Sequence, residues 1–322
     1  RLMRRACAAA LVLCHVGAAA APHDYLSRFP ERVHERLAAL AASRVPKLVP
    51  PTPTPVVWKA VRLGSIDVGA PLVALTAADL DSDGTSELYA VTSREVVALA
   101  LKGKLVELGR VSFVGARAVP APRDVVGTAA VDNGVLVAAS SAFASELRVT
   151  LLKGKPVATT GGAGFLVCPG ERLVLVPGRN YFAGDLHAVR CKTGLVDRTG
   201  APLALRAQLG LQGKLAVATC VPGGACTTAF EVAHAGTALE LADVDRDGVP
   251  EVIVSGYVAP GDADTVKVIS VGGDERKPKF RRSFNGGVVG IAVAETAVSA
   301  PRTVVVAVRL AGSTRVDLWR LD

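Results

Sequence analysis

Two short stretches of the chain carry most of its chemistry. Asp79-Leu80-Asp81-Ser82-Asp83-Gly84-Thr85-Ser86-Glu87 and Asp243-Val244-Asp245-Arg246-Asp247-Gly248-Val249-Pro250-Glu251 both follow the pattern D-x-D-x-D-G-x-x-E. Their flanks correspond as well, at a constant offset of 164 residues: Leu75 with Leu239, Ala78 with Ala242, and Leu88-Tyr89-Ala90 with Val252-Ile253-Val254. Alternate carboxylates on a tightly coiled loop converge their oxygens, and the glycine permits the sharp turn between them. With the backbone carbonyl of Thr85 or Val249 and the closing Glu87 or Glu251, each loop approaches the roughly six to eight hard oxygen ligands that calcium takes. Two calcium sites are therefore expected. Asp79, Asp81, Asp83, Thr85 and Glu87 would form one, and Asp243, Asp245, Asp247, Val249 and Glu251 the other. The bland alternative is an acidic turn that binds nothing, because Asp and Gly are turn formers in their own right. The duplication with matched flanks weighs towards metal.

These loops are not EF-hands. An EF-hand places its bidentate glutamate at loop position 12, which here is Ala90 or Val254. The ligand set closes instead at position nine, and an apolar, strand-like run follows each loop. The elements that must position the carboxylates are thus β-hairpins.

The rest of the chain agrees. From residue 56 onward the pattern alternates. Glu95 to Leu108 reads as strand, tight turn at Lys102-Gly103-Lys104, and strand, and Leu147 to Ala158 repeats the device around Lys153-Gly154-Lys155. Recurrence at 40–50 residues points to a propeller or a solenoid. Inner strands are expected to begin near Leu72, Val125, Phe165, Leu203, Leu239 and Val288, giving an all-β propeller of about six four-stranded blades, with seven as the alternative. The chain stops after what would be the third strand of the sixth blade, so residues 56–64 are expected to complete that blade and close the ring. Closure leaves only short edge strands.

At the acidic loops and their flanking strands the chain resembles the FG-GAP (also called VCBS) repeat family, which shares its propeller with the head of integrin α subunits. Val73 to Thr92 and Leu239 to Gly256 fit that family's template of inner strand, acidic loop and apolar second strand. Tyr257-Val258-Ala259-Pro260 is the nearest remnant of its Gly-Ala-Pro signature, and Val131-Asp132-Asn133-Gly134 is a vestige of a further acidic loop. The resemblance implies a calcium-stabilised propeller used for recognition.

Ahead of the ring, residues 1–22 read as an export signal, with Arg4 and Arg5 before the apolar run Ala6 to Val16 and small residues at 18–21. A lipobox ending in Cys14 is a poorer match. Residues 23–45 place Leu26, Phe29, Val33, Leu37 and Leu40 at helical spacing, and Pro46 to Pro55 form a stiff linker. Past residue 22 no apolar run approaches the roughly 20 residues of a spanning helix. The formal charge of +8 falls to +5 without Arg1, Arg4 and Arg5, suiting contact with polyanionic surfaces. Aromatics at 4% provide no stacking platform for nucleic acid. Removal of Cys7 and Cys14 leaves four cysteines, and in an exported protein these suggest disulfides. Cys220 and Cys226 bracket a turn and are paired here, leaving Cys168 with Cys191. A zinc site is the rival, weakened by the lack of any C-x-x-C.

Catalytic patterns are thin. The sequence has no G-x-S-x-G, H-E-x-x-H or P-loop. Thr159-Thr160-Gly161-Gly162-Ala163-Gly164 has no βαβ context and reads as a turn. His187 and His234 stand singly, and Asp262 and Asp264 look like solvated turn residues. The expected function is a secreted or periplasmic, calcium-binding, non-catalytic module for protein or glycan binding or adhesion. A propeller-scaffold polysaccharide lyase or hydrolase is the alternative, and a structural role in an envelope assembly a third.

Overall fold

Short Val-, Leu- and Ala-rich runs separated by Gly-containing turns pair with their neighbours in sequence, giving antiparallel sheets. The computed structural model describes residues 28–43, 48–49, 51–52, 55–102, 104–115, 127–143, 145–163, 165–168, 171–175, 182–183, 190–197, 203–210, 212–221, 224, 226–259, 261–273, 277–295 and 302–322. β1 (Ala60–Asp67) comes first, and one blade follows from β2 (Leu72–Ala78), β3 (Glu87–Thr92), β4 (Glu95–Lys102) and β5 (Lys104–Ser112). The next is β6 (Gly127–Asp132), β7 (Val135–Ser140), β8 (Ser145–Leu152) and β9 (Lys155–Ala163). β10 (Phe165–Cys168), β11 (Glu171–Leu175) and β12 (Phe182–Ala183) make a three-stranded sheet. Two further blades are β13 (Arg190–Val196), β14 (Leu203–Leu209), β15 (Leu215–Cys220), β16 (Cys226–Val232) and then β17 (Ala235–Ala242), β18 (Glu251–Gly256), β19 (Asp264–Ile269), β20 (Phe280–Phe284). The last contains β21 (Gly287–Ala294), β22 (Thr303–Arg309), β23 (Arg315–Leu321) and, on its outer edge, β1.

Among the described residues the architecture is an all-β propeller with one helix and five four-stranded blades, a blade count that corrects the expectation of six or seven. The inner strands β2, β6, β13, β17 and β21 pack against their neighbours around the centre, with β10 between β6 and β13. The miscount has a physical source. Leu203 was expected to begin an inner strand because its run is apolar, but it begins β14, a second strand buried between blades. The inner strand of that blade is β13, whose Arg190 and Lys192 line the central cavity and break the apolar pattern. Phe165 and Arg190 then stand too close for four full strands between them.

Ring closure occurs as expected from the outer-strand character of the N-terminal segment, three to four residues further along. β1 pairs antiparallel with β23 from Ala60↔Leu321 to Asp67↔Arg315. Trp58 extends the seam by packing against Phe280, with ring centroids 5.1 Å apart. The hairpin expected at Lys153-Gly154 is a tight turn with φ of 52° and 70°, the left-handed pair that suits a two-residue hairpin. Asn133-Gly134 has the same geometry, at 50° and 73°. The supposed vestigial acidic loop is thus a minimal turn between β6 and β7, with no room for a ligand loop.

The core lies between blades. Leu88, Leu99 and Leu318 are fully buried in one interblade cluster, and Ile253, Val266 and Val306 in another. The β2–β5 blade, the β17–β20 blade and the blade closed by β1 each bury their faces against two neighbours. The helix α1 (Phe29–Ser43) forms inside the expected span, yet its Phe29, Val33, Leu37 and Leu40 are exposed. Residues 1–22 lie outside the described residues, as does His187, and Thr159 to Ala163 belong to β9. Cys220 and Cys226 form the expected disulfide across β15 and β16. Cys191 is disulfide-bonded, whereas the side chain of Cys168 lies outside the described residues.

Asp264 is a correction of another kind. It is buried, not a solvated turn residue, and its carboxylate accepts N–H groups from Gly256 (2.8 Å), Thr265 (2.6 Å) and Val288 (3.2 Å). The last of these ties β19 to the inner strand of the neighbouring blade. Asp264→Ala leaves these donors without their acceptor and should cost roughly 2–4 kcal/mol of stability. A denaturant midpoint unchanged by the substitution would contradict the role assigned to this carboxylate.

Candidate metal loops and central cavity

Each acidic loop leaves an inner strand and returns as the second strand of the same blade. Ala78 pairs with Glu87 across β2 and β3, and Ala242 pairs with Glu251 across β17 and β18. The closing glutamate is therefore anchored by the ladder itself, at the base of the hairpin. The loops coil alike. Ser82 and Arg246 have φ of 60° and 59°, and Gly84 and Gly248 both have 86°. Such positive φ values favour glycine at the sixth loop position.

Backbone donors fix the first aspartate of each loop. Asp79 accepts the N–H groups of Asp83 (3.1 Å) and Gly84 (2.8 Å), and Asp243 those of Asp247 (3.0 Å) and Gly248 (2.9 Å). Asp83 accepts the N–H of Thr85, and Asp247 that of Val249. The result is two clusters, Asp79–Asp81–Glu87 and Asp243–Asp245–Glu251, each with one carboxylate oxygen per residue within 4.8 Å of the others. Either cluster could hold a metal ion. Asp83 and Asp247, expected as ligands, lie outside these triads and spend one oxygen on the backbone. Thr85 is half-buried and Val249 buried, in the loop positions expected of them.

The two sites differ in what faces the buried glutamate. Glu87 receives a hydrogen bond from the Tyr89 hydroxyl at 3.4 Å. Glu251 has Ile253 at the position of Tyr89 and instead accepts a hydrogen bond from the Lys279 ammonium at 2.6 Å. No motif or period marked Lys279 in the sequence; it stands 28 residues beyond Glu251 and reaches the loop only because β20 is the outer strand of the same blade.

A second feature opens beside these loops. A cavity of about 460 Å³ is lined by inner-strand residues that include Thr76, Thr128, Arg190, Lys192, Glu240 and Glu295. Lys192 donates to Glu240 at 2.7 Å, and Arg302 pairs with Glu295 at 2.9 Å. Arg190 donates to the carbonyls of Gly127 (2.9 Å) and Val73 (3.0 Å), while its buried Nε has no partner among the described residues. Glu295 and Arg302 connect cavity and loops: the Ser86 N–H donates to the Glu295 carbonyl at 3.1 Å, and Arg302 donates to the Asp243 carbonyl at 3.1 Å. Sequence reading missed this site, since its residues come singly from separate blades. His234, by contrast, is an exposed turn residue.

No protein-family model matches the sequence, and no curated protein matches it. Among solved structures, the chain is similar to a triple arginine-to-alanine mutant of AofleA from Arthrobotrys oligospora, at 10% identity and a TM-score of 0.48, covering 82% of this chain and 86% of that one. It is also similar to SapL1 lectin in complex with alpha methyl fucoside, at 11% identity and a TM-score of 0.32, covering 77% and 78%. At such scores the fold assignment rests on the strand pairing itself.

Burial holds the carboxyls of Glu87 and Asp243 above the usual carboxylate range and pushes Glu251 up to about 7, against the opposing pull of Lys279. A carboxyl whose pKa is raised by folding stabilises the fold below its unfolded pKa, and that contribution is lost as pH rises through the folded value. Exposed pairs such as Arg62–Asp317 lower a carboxyl's pKa and act in the opposite sense, but such surface pairs contribute little. In chelator, the melting temperature should therefore fall from about pH 4.5 to about pH 7. A melting temperature that climbs across that interval would count against these buried carboxylates as its controlling groups.

Proposed function

We propose that the protein is a calcium-stabilised, non-catalytic recognition module that binds a glycan at the mouth of its ring, in an extracellular or periplasmic setting. The observation that carries this reading is the sharing of one face by the acidic loops and the polar cavity, joined through Glu295 and Arg302. The cavity falls within the roughly 300–1,000 Å³ of small-molecule sites. Its hydroxyls, cations and carboxylates suit sugar hydroxyls, and three cationic side chains against two carboxylates favour an acidic sugar. Both glutamates are engaged in ion pairs, which disfavours a role for them as free acid and base. Calcium follows from the all-oxygen donor set, and the FG-GAP/VCBS resemblance of the loops supports it. The disulfide supports an oxidising compartment.

Adding calcium to chelated protein should raise the melting temperature, and Glu87→Gln should reduce that gain. An unchanged midpoint would remove the metal from this proposal. A glycan array probed in calcium should show binding to acidic oligosaccharides, weakened at least tenfold by Arg190→Ala. Retention only of proteins, with no glycan bound, would replace the glycan by a protein partner.

A further inference from the structure

The two acidic loops match in spacing, coiling and backbone hydrogen bonding, and the second contains a built-in cation. Lys279 immediately precedes β20, and its side chain is 1% exposed. Its ammonium lies 2.6 Å from Glu251, 2.7 Å from Asp245 and 3.3 Å from Asp247. Those residues are the third, fifth and ninth of the loop, three of the carboxylates expected to ligate an ion. The lysine backbone is fixed as well, because its carbonyl accepts the Val56 N–H at 3.0 Å, where the N-terminal segment joins the closing blade.

Asp79, Asp81 and Glu87 form no ion pair among the described residues, and Glu87 is 3% exposed. A carboxylate buried without a counter-ion is costly, so an external cation at the first loop would play the part that Lys279 plays at the second.

We infer that Lys279 takes the place of a metal ion in the second loop, so that the protein binds one calcium, at Asp79–Asp81–Glu87, and holds the second hairpin together with a tethered ammonium. This rests on the calcium reading above and refines its stoichiometry. The second loop is then stable whatever the calcium concentration, and only the first responds to it. An ammonium and a divalent ion cannot share the site: they compete for the same oxygens, and the lysine is covalently present at every calcium level.

Calcium counting by equilibrium dialysis and elemental analysis tests this on the full chain. The wild type should hold one ion, Glu87→Gln none, and Glu251→Gln still one. Lys279→Met, which removes the charge but keeps much of the apolar stem, should gain a second ion and should need calcium to keep its melting temperature. Two ions in the wild type, or one remaining in Glu87→Gln, would overturn the inference without requiring the lysine variant to fold. A folded Lys279→Met that gains no ion would overturn it too. If the wild type held none while Lys279→Met held one, the calcium reading of the first loop would fall and the role of Lys279 would stand.

Discussion

Glu87 and Glu251 each begin the second strand of a blade, where the ladder withdraws the carboxylate from solvent and leaves it facing two or three others. Like charges gathered at low exposure repel one another and lose hydration, so a counter-charge stabilises such a hairpin. Much follows from that constraint. The first aspartate of each loop accepts two backbone N–H groups, which fix its carboxylate beside those of the third residue and the glutamate. Lys279 supplies the counter-charge to one loop from the outer strand of its own blade. At the other loop the Tyr89 hydroxyl, a neutral donor, reaches Glu87.

The same carboxylate loops are linked to the ring's centre. Glu295 is held by Ser86 on one side and by Arg302 on the other, and Arg302 reaches the backbone of Asp243. The first loop is therefore joined to one wall of the cavity mouth through hydrogen bonds to the main chain. The cavity itself is framed by inner strands, and its polar lining is possible because those strands present their middles to an open channel while their flanks are packed between blades. Arg190 shows the arrangement at its most constrained. Its guanidinium spans two neighbouring inner strands by donating to Gly127 and Val73, and burial lowers its pKa.

Legibility in the sequence varied with how local the cause was. The acidic loops were readable because their spacing, glycine and flanks lie within one hairpin, and the register Ala78↔Glu87 and Ala242↔Glu251 follows from that. Cys220 and Cys226 were readable for the same reason, since one turn separates them. Blade counting was less secure. It relied on apolar runs to find inner strands, and β13 has a charged one. Asp264 looked solvated because it follows Gly261 and Asp262, but its acceptor role depends on Val288 from the adjacent blade.

By itself the sequence determined the strand-rich, blade-like organisation, the ring closure by an N-terminal strand, and the two carboxylate loops, because each depends on alternation or on a contiguous motif. Tertiary structure alone decided which loop has its own cation and which residues share the cavity. Lys279, Arg190 and Arg302 reach their partners only after separate blades are wrapped into one ring. Pairing across blades leaves no period in the chain, since the physical requirement is a distance in space and not a spacing along the backbone.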